Sequence, residues 1–346
     1  MKFQGHASVP ARIHHSLLDS RSASLEAPGG GGISFTVNDV VSECGVSLRP
    51  QRGAVFEGDR SPAVEFILDL LSKTVGYDGG FALRVTSHGI CHRGLASSAG
   101  AILAGVLAAN EALGQPLTAR QIRRLIGYNF VENEADGGVR RGFETGCAAV
   151  AALYGGLNVV GNDLEIIDHM DLPEEYYVVV FIPHAYSNEL VEAGSIPATW
   201  GAGEMSTIAY NREQDLAQLP LKAYKVLFEL IPRMRARDLP GVARVLHDLN
   251  FLCTPLGSIT RRFSSIYYHY FESLRLLGAD FVGLSSAGPA FYATSPDRAV
   301  LTRCREYITS RCASPLHAVI SPAGGRAAIV GAGDRWSYSI PGLAGF

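Results

Sequence analysis

The chain has 346 residues, of which 47% are hydrophobic, and this size allows two domains with separate cores. The formal net charge is -3 at pH 7, so the chain as a whole offers no basic field to a polyanion. We therefore expect no nucleic-acid partner. A small anionic substrate would need positive charge from a few local side chains.

Cysteine usage indicates a reducing compartment, and hydropathy indicates that the chain does not span a membrane. The six cysteines are scattered without a Cys-x-x-Cys pair, so we expect free thiols rather than a disulfide framework. The sequence shows no secretory leader and no uninterrupted apolar run of about 18 residues. These features predict a cytoplasmic protein that makes no contact with a membrane.

The first 60 residues mix short apolar runs with glycine and proline, a pattern typical of strands and tight turns. The glycine run at 29–32 is either a flexible turn or a loop whose backbone must approach a ligand. Apolar residues at 3-4-3-4 spacing predict a helix over 61–75. Alternating residues predict a strand over 81–87.

A stretch of small residues at 92–100 leads directly into the apolar segment 101–109. Ser97 or Ser98 can N-cap that segment and Gly114 can end it, which predicts a helix of about four turns. The unpaired N–H groups and the positive dipole at such a helix start favour an oxyanion. The stretch is therefore interpreted either as a phosphate cradle or as the start of an ordinary buried helix.

A charged stretch covers residues 129–146, after a short helix that begins with a capping box at Thr118 and ends near Gly127. It is either a solvated surface loop or one wall of a site. Arg140 and Arg141 are its candidate clamps for phosphate or carboxylate.

The first domain, 1–170, is expected to close with a strand over 159–167, and a second domain covers 171–346. Strands and helices alternate in this second part, which predicts an α+β domain. Residues after 333 have too few periodic apolar positions to assign; we expect them to pack against a partner subunit in a homodimer. The elements predicted for the second domain are strands at 176–182, 281–284, 290–294 and 317–320, and helices at 214–237 (interrupted at Pro220 and Pro232), 240–252, 264–277 and 297–310.

Three segments in order along the chain resemble motifs of the GHMP superfamily. The loop 94–100 is similar to the Gly-Leu-x-Ser-Ser-Ala phosphate-binding loop of that superfamily. The segment 12–19 with the glycines after it, and the segment 283–293, are similar to the first and third motifs of one branch, the β-ribofuranosylaminobenzene 5′-phosphate synthases. The resemblance is strongest to the related C-glycoside synthases of formycin biosynthesis, in the same branch.

This resemblance covers roughly the whole chain and implies an α+β, GHMP-kinase-like two-domain fold. The N-terminal domain would resemble domain 2 of ribosomal protein S5, and the C-terminal domain would be ferredoxin-like. The branch joins phosphoribosyl pyrophosphate to an aromatic carboxylic acid, with loss of pyrophosphate and carbon dioxide, and Mg²⁺ is the implied cofactor. An amino-pyrazole dicarboxylate is the favoured acceptor, and 4-aminobenzoate is the alternative.

The resemblance also implies roles for individual residues. Arg12 would grip a phosphate or carboxylate, and His14 would hydrogen-bond the substrate or handle a proton. Because neighbours on a strand face opposite sides, only one of His14 and His15 is expected in the site. Asp19 would hold Mg²⁺ together with Ser98, or would only cap a turn. The residues expected to bind substrate are His92, Arg93, Gly94, Leu95, Ala96, Ser97, Ser98, Ala99, Gly100, Arg140, Arg141, Thr145, Ser285, Ser286 and Gly288.

Two other functions fit the same motifs. A GHMP small-molecule kinase would use ATP, but the resemblance places its catalytic Asp at Thr145 or Gly146, where this chain has none. A non-catalytic ligand sensor on the same fold would bind the donor without releasing pyrophosphate.

Overall fold

The computed structural model describes residues 4–86, 94–134, 136–183, 212, 215–251, 266–286, 288–312 and 316–330. Its strands form two main sheets that share an apolar core. The ring centroid of Phe35, in the first sheet, lies 5.9 Å from that of Phe281 and 5.5 Å from that of Tyr292, both in the second sheet. The second half of the chain therefore packs against the first half through this shared core.

The first sheet has the strand order β13-β1-β2-β4-β3, with β7 paired to β2 and β8 paired to β7. All pairs are antiparallel except β3 with β4. A separate hairpin is formed by β5 and β6. The strands are β1 (Gly5–Leu17), β2 (Gly32–Arg49), β3 (Gly53–Phe56), β4 (Gly80–Thr86), β5 (Val131–Asn133), β6 (Val139–Arg141), β7 (Leu157–Val160), β8 (Ile166–Met170) and β13 (Ala328–Val330).

One face of this sheet is covered by four helices, and α2 is apolar on nearly all sides because it is buried in the middle of that layer. Strand β1 comes so close to α2 that a Cβ on Gly5 would collide with the Ala108 carbonyl oxygen. The helices are α1 (Pro62–Val75), α2 (Ser97–Ala112), α3 (Ala119–Tyr128) and α4 (Cys147–Tyr154).

The second sheet is antiparallel, with the order β10-β11-β9-β12. Helices follow its first and third strands along the chain, which gives the β-α-β-β-α-β arrangement called ferredoxin-like. Helices α7 and α8 cover the face turned away from the first sheet. The elements are β9 (Tyr177–Pro183), a helical run at 215–224, a π-helical segment (Lys225–Leu230), α5 (Ile231–Arg235), α6 (Leu239–Phe251), α7 (Ile266–Leu276), β10 (Phe281–Leu284), β11 (Phe291–Ser295), α8 (Arg298–Arg311) and β12 (Leu316–Pro322).

Most predicted elements are confirmed to within a few residues, including the capping box at Thr118. The single strand predicted over 159–167 is wrong, because Gly161, Asn162 and Asp163 are turn-forming residues and divide it into β7 and β8. The predicted breaks at Pro220 and Pro232 are also wrong. The helical run 215–224 continues through Pro220, and Pro232 follows the π-helical segment, whose wider hydrogen-bond register accommodates a missing N–H.

Cys44, Cys147, Cys304 and Cys312 are free thiols, as predicted, and Cys91 and Cys253 lie outside the described residues. Within the part of the chain that the structure describes, every helix is too short or too polar to cross a membrane. The segment after 333, predicted to meet a partner subunit, lies outside the described residues.

His15 belongs to the core between the two sheets. Its Nε2 donates to the Leu246 carbonyl oxygen at 2.8 Å, so its Nδ1 is left to accept from the Tyr292 hydroxyl. Burial lowers the pKa of His15, the hydrogen bond to the Leu246 carbonyl partly opposes this, and His247 lowers it as well; together they bring this pKa to about 4.

This buried imidazole makes the fold sensitive to acid. Because the pKa of His15 falls from 6.5 to about 4 on folding, the unfolded chain binds a proton in that window that the folded chain does not. The free energy of unfolding should therefore decrease as pH falls from 6.5 towards 4, by up to about 1.4 kcal/mol per pH unit for this group. Denaturant midpoints measured across this range should show a shallower slope for His15→Gln than for the wild type. The exposed His317→Gln variant is the control, and identical slopes for all three proteins would contradict the prediction.

Candidate active site

A partly open cleft of about 640 Å³ lies where β1, the starts of α2 and α4, and the loop between β10 and β11 meet. Its lining combines one arginine, one histidine, two glutamates, two phenylalanines and several small or hydroxyl residues. The lining residues are Arg12, His14, Gly94, Ala96, Ser97, Ser98, Ala99, Phe130, Glu132, Phe143, Glu144, Thr145 and Ser286.

The fully buried hydroxyl of Ser285 connects the three motifs at the base of this cleft. It donates to the Gly94 carbonyl oxygen at 2.6 Å and accepts from the His14 backbone N–H at 3.2 Å. The backbone N–H of Ser286 then donates to the His14 carbonyl oxygen at 2.8 Å. The first motif, the cradle and the third motif are thus joined by direct hydrogen bonds.

The cradle and the third-motif loop approach each other too closely for a side chain at Gly94. With φ at +85°, a Cβ there would collide with the Ser285 carbonyl oxygen. Ala96 and Ser286 also adopt left-handed backbone conformations, with φ at 56° and 54°, which are unusual for residues with a Cβ. Such strain is typical of sites that must hold a defined geometry.

Two helices begin at the cleft. The expectation that Ser97 or Ser98 caps α2 is wrong: Ala96 is the cap residue, and its left-handed turn brings both serines into the first helical turn. At α4, the cap is Gly146, whose N–H donates to Glu144 Oε1 at 2.6 Å. The start of α2 therefore faces the cleft with the positive end of its dipole, an arrangement that favours a negatively charged ligand. At the start of α4, the N–H groups of Gly146 and Cys147 donate to the side chains of Glu144 and Thr145.

Arg12 and His14 provide the unpaired polar atoms of the cleft. Nε and Nη1 of Arg12 and Nε2 of His14 are buried without a hydrogen-bond partner among the described residues. Burial lowers the pKa of His14 well below its usual value, and the charges of Arg12 and His15 lower it further, although the carbonyls of Gly31 and Ser16 oppose this. The site thus presents a neutral imidazole beside a guanidinium.

The glycine run is explained by the position of this imidazole. A Cβ on Gly32 would collide with His14 Nε2 and would lie 2.8 Å from Cys147 Sγ. The structure favours the interpretation in which another group must come close to the backbone of this run. At Gly32, however, that group is the His14 side chain and not a ligand.

Asp19 is not among the residues that line the cleft; it lines a second depression, with Gly30, Gly31 and Lys222. It caps the short turn Ser20–Ser22. Burial would raise the pKa of Asp19, but hydrogen bonds from Arg21, Ser22 and Asn162 outweigh burial and lower it to about 2. This placement fits the turn-cap alternative, and a metal role for Asp19 stays a prediction.

The remaining predicted residues divide into three groups. Leu95 is buried in the core between the sheets, and Gly288 supports the third-motif loop by donating its N–H to the Ser285 carbonyl. Arg140 and Arg141 are not among the lining residues: Arg140 pairs with Glu132 at 2.9 Å, and Arg141 donates to the Tyr128 carbonyl at 2.8 Å. The residues that lie outside the described part of the chain are His92 and Arg93.

Sequence reasoning gave no role to several lining residues, namely Phe130, Glu132, Phe143 and Glu144. Of the two interpretations of the charged stretch 129–146, the structure favours a wall of the site, because Glu132, Glu144 and Thr145 line the cleft. The usable signal was the alternation of Phe130 and Glu132, which places both side chains on one face of an extended segment.

Mg²⁺ prefers oxygen ligands and often takes only one or two from the protein, with substrate phosphates supplying others. The described residues contain no group of three or more His, Cys, Asp or Glu side chains able to hold a metal ion. The cleft nevertheless offers Glu144 and the hydroxyls of Ser98 and Thr145. This donor set fits an ion shared with a bound phosphate.

The chain is similar to known proteins in sequence and in fold. Residues 63–156 match the family described as "GHMP kinases N terminal domain". Mevalonate diphosphate decarboxylase from Staphylococcus aureus superposes with a TM-score of 0.68 at 14% identity, over 95% of this chain and 98% of that one. Homoserine kinase from Cytophaga hutchinsonii gives a TM-score of 0.62 at 15% identity, over 95% and 98%. The fold is that of the GHMP kinases.

A curated relative supports the same superfamily. The chain is 23% identical over 309 residues to beta-ribofuranosylphenol 5'-phosphate synthase of Methanothermobacter thermautotrophicus. The matched residues cover 84% of this chain and 88% of the relative. The predicted GHMP-kinase-like fold is confirmed, and the GHMP superfamily is supported. The finer assignment to the formycin-type synthases stays a prediction.

The Ser285 hydroxyl can be tested directly. Ser285→Ala leaves the His14 N–H and the Gly94 carbonyl unpaired in a buried site, which should lower the free energy of unfolding by about 1–3 kcal/mol. Ser310→Ala removes a hydroxyl that donates only within an exposed helix end and should change it by less than about 0.5 kcal/mol. Chemical denaturation measures both variants, and equal stabilities would contradict the proposed link.

Proposed function

We propose that this protein transfers the phosphoribosyl group of phosphoribosyl pyrophosphate to a ring carbon of an aromatic carboxylic acid, with release of pyrophosphate and carbon dioxide. The observation that carries the proposal is the pair of buried, unpartnered groups, Arg12 and His14, at a cleft where two helices begin. The curated relative, named as a synthase of a ribofuranosylphenol 5'-phosphate, supports it.

The donor end of the cleft suits a diphosphate. Arg12 contributes a permanent positive charge with unpaired donors, and the start of α2 contributes backbone N–H groups and a dipole. Ser98 and Glu144 would hold Mg²⁺, which supplies charge neutralisation for the phosphate oxygens. Together these groups stabilise the charge that develops on the leaving pyrophosphate.

The reaction balances without a covalent intermediate. The bond between the anomeric carbon and the pyrophosphate oxygen breaks, and the ring carbon that bears the carboxylate forms the new carbon–carbon bond. Carbon dioxide then leaves and returns its bonding electrons to the ring, which restores aromaticity, so no proton has to leave that carbon. A proton-removing role for His14 at the ring is therefore unnecessary.

His14 instead acts on the leaving group in our proposal. Its imidazole is neutral in the free protein because of burial and Arg12. A bound diphosphate places negative charge beside it, which favours the protonated form. The imidazole can then hydrogen-bond or protonate the departing pyrophosphate.

The acceptor favoured here is an amino-pyrazole dicarboxylate, as in formycin-type C-nucleoside synthesis, and 4-aminobenzoate is the alternative. The proposal is tested by incubating the protein with phosphoribosyl pyrophosphate, Mg²⁺ and each acid carrying ¹³C in the carboxyl group. We expect a C-ribosyl 5'-phosphate without the label, together with labelled carbon dioxide, in mass spectrometry. Labelled product or an absence of pyrophosphate release with every acid would contradict the proposal.

A small-molecule kinase is the second candidate because the solved structures that share the fold include kinases. At the positions expected to hold a catalytic Asp, the chain has Thr145 and the cap residue Gly146, and the lining residues include no aspartate. Acceptor-dependent formation of ADP from ATP would favour the kinase.

The role of His14 predicts a selective loss of turnover. His14→Ala should lower kcat by about 10²–10⁴-fold, the usual cost of a missing general acid, and should change the affinity for phosphoribosyl pyrophosphate much less. Steady-state kinetics and calorimetry separate the two effects. The exposed His317→Ala variant should behave as the wild type. Full turnover in His14→Ala, or a ribosyl-enzyme adduct in intact-protein mass spectrometry, would contradict this role.

A further inference from the structure

We propose that Phe130, Glu132 and Phe143 form the acceptor subsite, and that this subsite selects a ring carrying a hydrogen-bond donor away from its carboxylate. The donor would be a ring hydroxyl, amine or N–H group. The inference rests on the phosphoribosyl transfer proposed above, but binding alone tests it.

The β5–β6 hairpin presents two of these side chains on one face. Phe130 and Glu132 are two residues apart along an extended segment, so their side chains point to the same side, and both line the cleft. The Gly142 N–H donates to the Phe130 carbonyl oxygen at 3.2 Å, which extends the ladder beyond β5. The hairpin thus acts as a wall of the cleft.

Two aromatic rings add apolar surface to this part of the lining. Phe130 is buried, and a Cβ on Gly142 would lie 2.6 Å from its ring, so the ring packs directly against the backbone next to β6. Phe143 is half-buried, and its Cζ lies 3.6 Å from the position of a Cβ on Gly30. Aromatic faces of this kind favour a planar ring by stacking or edge contact.

Glu132 adds a specific polar contact to that surface. Its side chain is 14% exposed, and Arg140 donates to Oε2 at 2.9 Å. Oε1 has no hydrogen-bond partner among the described residues. A carboxylate accepts hydrogen bonds only, so it pairs with a donor on the ring and repels the carboxylate of the acceptor.

This distribution of charge orients the acceptor. Glu132 accepts a hydrogen bond from the donor group of the ring and repels the carboxylate, so the carboxylate turns away from Glu132. The carbon that bears the carboxylate then faces the donor end, where the new bond forms. Arg140, predicted as a substrate clamp, is a positioning residue for Glu132 in this arrangement.

The test compares the binding of 4-hydroxybenzoate and benzoate, measured by calorimetry with pyrophosphate and Mg²⁺ present. For the wild type we expect at least tenfold tighter binding of 4-hydroxybenzoate. Glu132→Gln keeps the shape but loses the charge, so the ratio should fall to about threefold or less without weaker binding of benzoate. Glu134→Gln, which changes an exposed glutamate at the end of the same hairpin, should keep the wild-type ratio.

Two further measurements distinguish the loss of the Glu132 contact from a general loss of structure. Pyrophosphate affinity should stay within twofold of the wild type in Glu132→Gln, and Phe143→Leu should weaken both acids alike. A wild-type ratio in Glu132→Gln, or no ring-acid binding by the wild type, would overturn the inference. A wild type that discriminates between the acids as expected but forms no C-riboside would refute the proposed function and leave the subsite in place.

Discussion

The hydrogen bonds of the Ser285 hydroxyl are the constraint on which the site depends. They join β1, the loop before α2 and the loop after β10, three segments far apart in sequence. With these segments fixed, Arg12 and His14 point into the cleft rather than into solvent. The shared core between the two sheets holds the two halves of the chain in the contact that this hydroxyl requires.

The cleft combines two kinds of lining residue, and in the proposed reaction this combination would let one small space take two anionic substrates. Arg12 and the start of α2 attract phosphate, while Phe130, Phe143 and Glu132 suit a ring with a donor group. A diphosphate would be repelled by Glu132, and a bare aromatic ring gains little from the helix dipole. In the proposed reaction each substrate would therefore have one favourable orientation.

The fold class could be predicted and the three motifs could be recognised from the sequence, because apolar spacing and glycine and serine patterns are local properties. The sequence also predicted Arg12, His14 and the cradle loop as site residues, and Arg12, His14 and five residues of that loop line the cleft. It gave no role to Phe130, Glu132 or Phe143 because a three-residue strand carries almost no periodic signal and the pairing of Glu132 with Arg140 depends on a hairpin. The resemblance made Asp19 a candidate metal ligand. In the structure its carboxylate instead accepts hydrogen bonds from Ser22, in the adjacent turn, and from Asn162, in a turn that is distant in sequence.

The central claim is that the cleft between the starts of α2 and α4 is the diphosphate site. A crystal structure of the protein soaked with pyrophosphate and Mg²⁺ tests this claim most directly. We predict that the diphosphate lies within hydrogen-bond distance of Arg12 and of backbone N–H groups at the start of α2. A diphosphate bound instead in the depression beside Asp19, or a cleft without ligand at saturating pyrophosphate, would contradict the account.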